Sequence, residues 1–185
     1  MSRDSDFTHL NPRGDARMVD VADKMPTYRV AEAEAWLWVG KELMEALRSG
    51  DVRKGDALAV ARIAGISATK QTASWIPLAH PVPLTHAQVD IDLEEPERVR
   101  LRCRAEAVGR TGVEMEALCG VTAAALALYD MVKSKRRDAE IVNVRLLYKS
   151  GGKSGVFQRL HSDGLAPGSG AADASTGEVP TPASD

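Results

Sequence analysis

Aromatic residues are scarce in this 185-residue chain, which holds three Trp, three Tyr and two Phe. Proteins that grip single-stranded nucleic acid by stacking bases need more platforms than that. Neither sign of charge is in excess: 24 Lys and Arg stand against 26 Asp and Glu, a formal charge of −2. Four of the acids and none of the bases fall after residue 160, so residues 1–160 carry +2. Neither figure gives the basic field on which bulk phosphate binding depends. Two cysteines, Cys103 and Cys119, are too few for a disulfide framework or a Cys-rich metal site. The chain opens on the polar stretch Met1–Phe7 instead of a charged-then-apolar leader. Its most apolar run, Val121–Leu128, is too short to cross a bilayer. These absences point to a soluble, cytoplasmic protein with no membrane partner and no nucleic-acid partner.

With 44% hydrophobic residues, the chain suits one compact domain plus a tail. Residues 161–185 are rich in Gly, Pro, Ser and Ala and hold no aromatic residue, so a disordered acidic tail is expected there. Residues 1–9 are expected to be flexible, leaving 10–160 as the folded body. Val30, Ala33, Leu37, Met44 and Leu47 recur at helical spacing, predicting a helix over 30–48 with Gly50 as its stop. A second helix is predicted from Asp56 to Ala64, broken by Gly65. Three prolines then make 76–84 a rigid loop carrying His80. Strict alternation of Val89, Ile91 and Leu93, and of Val99 to Ala107, predicts an antiparallel hairpin turning at 94–97. A long helix over 112–136 follows, with Thr111 and Glu114 spaced as a capping box, and then a strand over 141–148. Helices and strands without regular βαβ alternation indicate an α+β fold, an antiparallel sheet with helices on one face.

Taken singly, the chemistry-bearing residues are ambiguous. Lys149–Gly155 is a glycine-rich, lysine-bearing loop after a strand, suited to phosphate, but it does not match a Walker A pattern and reads alone as a surface turn. Arg98, Arg100, Arg102 and Arg104 read as a solvated strand face that also blunts edge pairing. His80, held between prolines, fits a structural or a functional role equally. No His-Glu-x-x-His or paired-Cys motif is present, so no metal site is expected. On the long helix, Glu116 and Asp130 return to within about 40° of one face yet lie about 21 Å apart along the axis. One small reactive centre cannot touch both. Either the ligand is elongated, or opposite helix ends from two chains meet, and the second is the favoured reading.

Together, several motifs resemble one family. They are Arg17–Val21, Lys54-Gly55-Asp56, Ala61–Ile66, Ile76–Pro81, Thr111–Leu118, Tyr129-Asp130-Met131 and Lys149–Gly155. In this order they are similar to the cyclic pyranopterin monophosphate synthases, the MoaC family of molybdenum-cofactor biosynthesis, over about residues 8–158. The resemblance implies a ferredoxin-like fold and a hexamer built as a trimer of dimers, with sites at dimer interfaces. It implies conversion of a 3′,8-cyclised dihydro-GTP to the cyclic pyranopterin monophosphate with release of pyrophosphate. It places catalysis on Asp130, Lys54, Lys133 and His80. Substrate contacts fall to Leu78, Ala79, His80, Met115, Glu116, Asp20, Glu114 and Lys149, and Lys153 on the same glycine loop can approach the triphosphate closely because the loop lacks side-chain bulk. Ala79 stands where some relatives carry Cys. Crowding by other cations and partial desolvation would lower the pKa of Lys54 and Lys133 and let them act as bases. No cofactor is required, although a divalent ion can ride on the triphosphate. A catalytically silent nucleotide-binding protein on the same fold, and an RNA-binding module using the arginine ladder, are the competing readings.

Overall fold

The computed structural model describes residues 9–11, 13–49, 57–94 and 96–160. Five strands, β1 (Thr27–Trp38), β2 (Leu84–Glu94), β3 (Arg98–Gly109), β4 (Glu140–Ser150) and β5 (Phe157–Gln158), form one sheet in the order β2-β3-β1-β4-β5. All neighbouring strands are antiparallel. The helices are α1 (Lys41–Ser49), α2 (Ala57–Thr69), α3 (Thr72–Trp75) and α4 (Glu114–Val132). With β2-β3-β1-β4 at its heart, this is the ferredoxin-like α+β arrangement. The alternation on β2 and β3 pairs Val89 with Cys103, Ile91 with Leu101 and Leu93 with Val99, as the period-two pattern requires.

The predicted helix over 30–48 is in fact a strand followed by a shorter helix. Alanine and glutamate favour helix locally, but the same residues also alternate. Ala31, Ala33, Ala35 and Leu37 all point into the core at 0% exposure, while Glu32, Glu34 and Trp36 share the opposite face. Small side chains let β1 sit at the centre of the sheet beneath α4, and pairing on both edges decides against the local preference. Gly65 does not break α2, which runs through it to Thr69. It is the contact point with α4: a Cβ there would stand 2.8 Å from the Gly120 carbonyl oxygen and 3.1 Å from Ala124 Cβ. Asp56 and Gly50 lie outside the described residues, as do residues 1–8, 161–185 and Lys54.

Two further expectations change. The N-cap of α4 is Val113, with no side-chain capping bond, so Thr111 and Glu114 do not form a capping box. The arginines of β3 do not guard an edge, because β3 lies inside the sheet. They form a cross-strand ionic lattice on the face away from the helices. Glu34, fully buried, receives Nε and Nη2 of Arg100 at 2.9 and 2.8 Å and those of Arg145 at 2.8 and 2.7 Å. Arg102 pairs with Asp92, and Arg104 with Glu32 and Glu106. Arg98 and Arg100 also cover the Trp36 ring at 4.8 and 5.4 Å. A β-bulge in β4 around Asn143, whose φ is +54°, brings Arg145 opposite Glu34.

The core lies between the sheet and the layer of α2 and α4. Among the described residues α4 alone is long and apolar enough to cross a membrane. Its inner face is taken up by β1, β3 and β4, so the apolarity belongs to a core helix.

Candidate active site

One end of the sheet gathers the starts of β1 and β2, the end of β3, the N-terminus of α4 and the glycine loop after β4. These elements enclose a cavity of about 630 Å³. Leu78, Ala79 and His80 enter from the loop before β2, Glu114, Met115 and Glu116 from the first turn of α4, and Lys153 from the glycine loop. Seven of the residues expected from sequence are thereby brought together from three separate segments. The N-terminal stretch contributes His9, Val19, Val21 and Lys24. A second, apolar cavity of about 630 Å³ adjoins it, sharing His9, Leu78, Ala79 and Met115 and adding Ala16, Ile76 and Pro77.

Lys149 stands behind this wall. Its Nζ donates to Ser154 Oγ and lies 3.9 Å from a Glu114 carboxylate oxygen, so it holds the loop and the helix start together. Asp20 does not line the cavity: its carboxylate accepts the Ala22 amide at 2.9 Å, shaping the turn that presents Val19 and Val21. Asp130 and Lys133 are far off at the other end of α4, joined to each other at 2.6 Å on the surface. Lys133 is not depressed as expected: the hydrogen bond and charge of Asp130 hold its pKa above the ordinary lysine value. Lys54 lies outside the described residues.

Sequence reasoning missed Arg29, Arg110 and Lys24, which also line the cavity. Arg29 is the most telling. It sits on the core-facing side of β1, 9% exposed, with its Nε buried and unpartnered. The glycine loop packs onto it: at Gly151 a Cβ would collide with the Tyr28 carbonyl, and at Gly152 with the Arg29 guanidinium. Both glycines have positive φ, +94° and +74°, a conformation that side-chain-bearing residues rarely adopt. Arg110 is steadied by donating to the Ala22 carbonyl at 2.8 Å.

Lys24, Arg29, Arg110 and Lys153, together with the positive end of the 19-residue α4, make this a seat for a polyanion. Among the described residues no three His, Cys, Asp or Glu side chains converge as a metal cage would need. Glu116 is 3% exposed, and burial, reinforced by the charge of Glu114, pushes its pKa up from 4.5 to about 7. A carboxyl titrating near neutrality in a cationic cavity can hold or release a proton at working pH.

The same shift has a stability consequence. Between pH 4.5 and about 7 the unfolded chain has lost the Glu116 proton while the folded chain keeps it. Stability is then fully present below 4.5 and falls as pH rises through that window. Urea titrations at a series of pH values are expected to show this decline, and Glu116→Gln is expected to flatten it. An unchanged slope in the variant would assign the titration to another group.

Residues 18–152 match the MoaC family. A protein from Thermomicrobium roseum called cyclic pyranopterin monophosphate synthase is 49% identical over 156 residues, covering 84% of this chain and 94% of that protein. One of the same name from Pelobacter propionicus is 47% identical over 154 residues, covering 83% and 96% respectively.

Proposed function

This chain belongs to the MoaC family, and on that premise we propose that it converts 3′,8-cyclised dihydro-GTP to cyclic pyranopterin monophosphate, releasing pyrophosphate. The observation that carries the reading is the cavity itself. Four cations and a helix N-terminus surround a buried carboxyl, next to an apolar chamber. A triphosphate suits the first compartment. The neighbouring chamber, lined by Ile76, Pro77 and Met115, suits a flat heterocycle.

In this reading Arg29, Arg110, Lys24 and Lys153 bind the phosphates, and the glycine loop offers backbone donors without side-chain bulk. Leu78, Ala79 and Met115 bound the ring system, with His80 and Glu116 placed to exchange protons with it. Opening the guanine-derived ring and closing the pterin move protons, which Asp130, Lys133 and Lys54 would supply or accept. A sugar hydroxyl then forms a bond to the α-phosphorus and gives up its proton. The bond from that phosphorus to the pyrophosphate oxygen breaks, and pyrophosphate leaves. The protein brings no cofactor of its own to this chemistry. A divalent ion would arrive only with the triphosphate it neutralises.

Asp130 and Lys133 reach this cavity if a second chain supplies them. The assembly proposed is a dimer carrying two such sites, three dimers making a hexamer, acting in the cytoplasm. Incubation of the purified chain with the cyclised dihydro-GTP is expected to release one pyrophosphate per pterin formed. Formation of neither product would overturn the reading. For the two-chain site, His80→Ala and Asp130→Asn are each expected to be inactive alone. Mixed and allowed to exchange, they should regain about a quarter of wild-type turnover, since half the dimers are mixed and each has one intact site of two. No recovery on mixing would place both residues in one chain.

A further inference from the structure

Residues 13–26 belong to no helix and to none of the five strands, yet they line both compartments of the site. Val19, Val21 and Lys24 face the cationic cavity and Ala16 the apolar chamber. The stretch is barely fastened. Only Val19 and Val21 are half-buried, and the rest is exposed. Among the described residues its backbone hydrogen bonds run only within residues 9–24. One hydrogen bond ties it to the body: Arg110 Nη1 donates to the Ala22 carbonyl at 2.8 Å. A segment with little buried apolar surface and no ladder to a neighbouring strand opens at small cost. The Ala22 peptide is nevertheless held in place from its own side. The Asp20 carboxylate accepts the Ala22 amide at 2.9 Å, and the Lys24 amide donates to the Val21 carbonyl at 3.1 Å. Two turns in succession thus fix the Ala22 carbonyl and set Lys24 in the cavity wall.

We propose that residues 13–26 form a strap that a bound polyanion draws shut, with Arg110 as its latch and Asp20 as the positioning residue that aims the Ala22 carbonyl at the latch. The inference rests on the polyanion seat proposed above. Of the four cations of that seat, Lys24 alone rides on the strap, while Arg29, Arg110 and Lys153 belong to the body. Opening the strap takes Lys24 out of the seat and strips Arg110 of its carbonyl partner. A phosphate chain that touches both therefore binds the closed form better, and by linkage it shifts the strap toward closure. The guanidinium suits both tasks, since its planar fork of donors keeps one N–H on the carbonyl and offers others to phosphate. Asp20 acts here through its acceptor oxygen and not its charge: it lines neither compartment, and its contact is the Ala22 amide.

Limited trypsin digestion of the full chain reads the strap at the bond after Arg17, a residue that lines neither compartment. The probe is inorganic tripolyphosphate, with its binding measured by calorimetry and trypsin's own rate checked on a small peptide in the same buffer. At tenfold above its dissociation constant it is expected to slow this cut about tenfold, the shift due to a ligand that binds only the closed form. Without ligand, Asp20→Ala is expected to be cut about fivefold faster, the usual worth of one hydrogen bond. Asp20→Asn, which keeps the acceptor oxygen and loses the charge, is expected to be cut at the wild-type rate. Arg110→Ala, also without ligand, is expected to be cut faster, an effect that a residue serving phosphate alone would not show. Both side chains are exposed, so far-UV circular dichroism is expected to be unchanged in all three variants. Tripolyphosphate that binds without slowing the cut would overturn the strap and leave the seat standing. Tripolyphosphate that does not bind at all would overturn the seat, and the strap with it. Asp20→Asn cut as fast as Asp20→Ala would overturn the positioning role, as would an Arg110→Ala rate equal to wild type for the latch.

Discussion

Replacing Asp130 by asparagine is expected to lower turnover by about 10²- to 10⁴-fold, the usual contribution of a placed acid or base, without loss of folding or association. The carboxylate and Lys133 are both more than half exposed, and an ion pair of that kind contributes less than about 1 kcal/mol to stability. Asparagine keeps the size of the side chain but cannot carry a proton. It also removes the charge and the hydrogen bond that hold the Lys133 pKa up. In the variant Lys133 therefore loses its proton at lower pH, and the alkaline limb of any residual activity should move down. Lys54→Ala is expected to be equally inactive. Wild-type turnover in either variant would remove that residue from the mechanism, and an unmoved pH profile in Asp130→Asn would sever Asp130 from Lys133.

The largest stability effect is expected at Glu34. Its carboxylate pairs with two guanidinium groups at once, one at each oxygen, each about four-fifths buried. Glu34→Ala removes the carboxylate that both cations share and leaves them close together, a loss of about 3 kcal/mol by analogy with broken buried pairs. For a body of this size that lowers the melting temperature by about 10 °C. Glu34→Gln, which still accepts hydrogen bonds, should lose less. Urea unfolding checks both, since guanidinium salt would screen the charges in question. A loss below about 0.5 kcal/mol in the alanine variant would mean that the arginines simply swing out to water.

The hairpin and α4 were legible because their patterns are unmixed: strict alternation in β2 and β3, and a long apolar run in α4. β1 was not, because residues 30–37 satisfy a helical and an alternating template together. Only pairing with β3 and β4 decides between them, and that is a long-range event. The same misreading hid Arg29. Once 27–38 is a strand, a charged residue in register with Ala31, Ala33 and Ala35 marks a cation aimed inward, the signal that would have found it. Gly65 misled for a related reason: local preference treats glycine as a breaker, whereas the helix crossing needs its bare backbone. Lys153 on its glycine loop, His80 between prolines and Glu116 on the long helix each stood out in the sequence, and the family resemblance gave His80 and Glu116 their roles. Their meeting in one cavity depends on where separate segments end along the sheet, which spacing alone does not reveal.

The paired glycines pressed onto Arg29 bear on how quickly the seat can be reused. Fixing a long side chain at a binding surface ordinarily costs about 0.5–1.5 kcal/mol when the ligand arrives. Here that ordering is already met when the chain folds, because loop and strand clamp the guanidinium in position. In the proposed reaction, departing pyrophosphate would leave the arginine where it stood, and the next triphosphate would meet a receptor that needs no rebuilding.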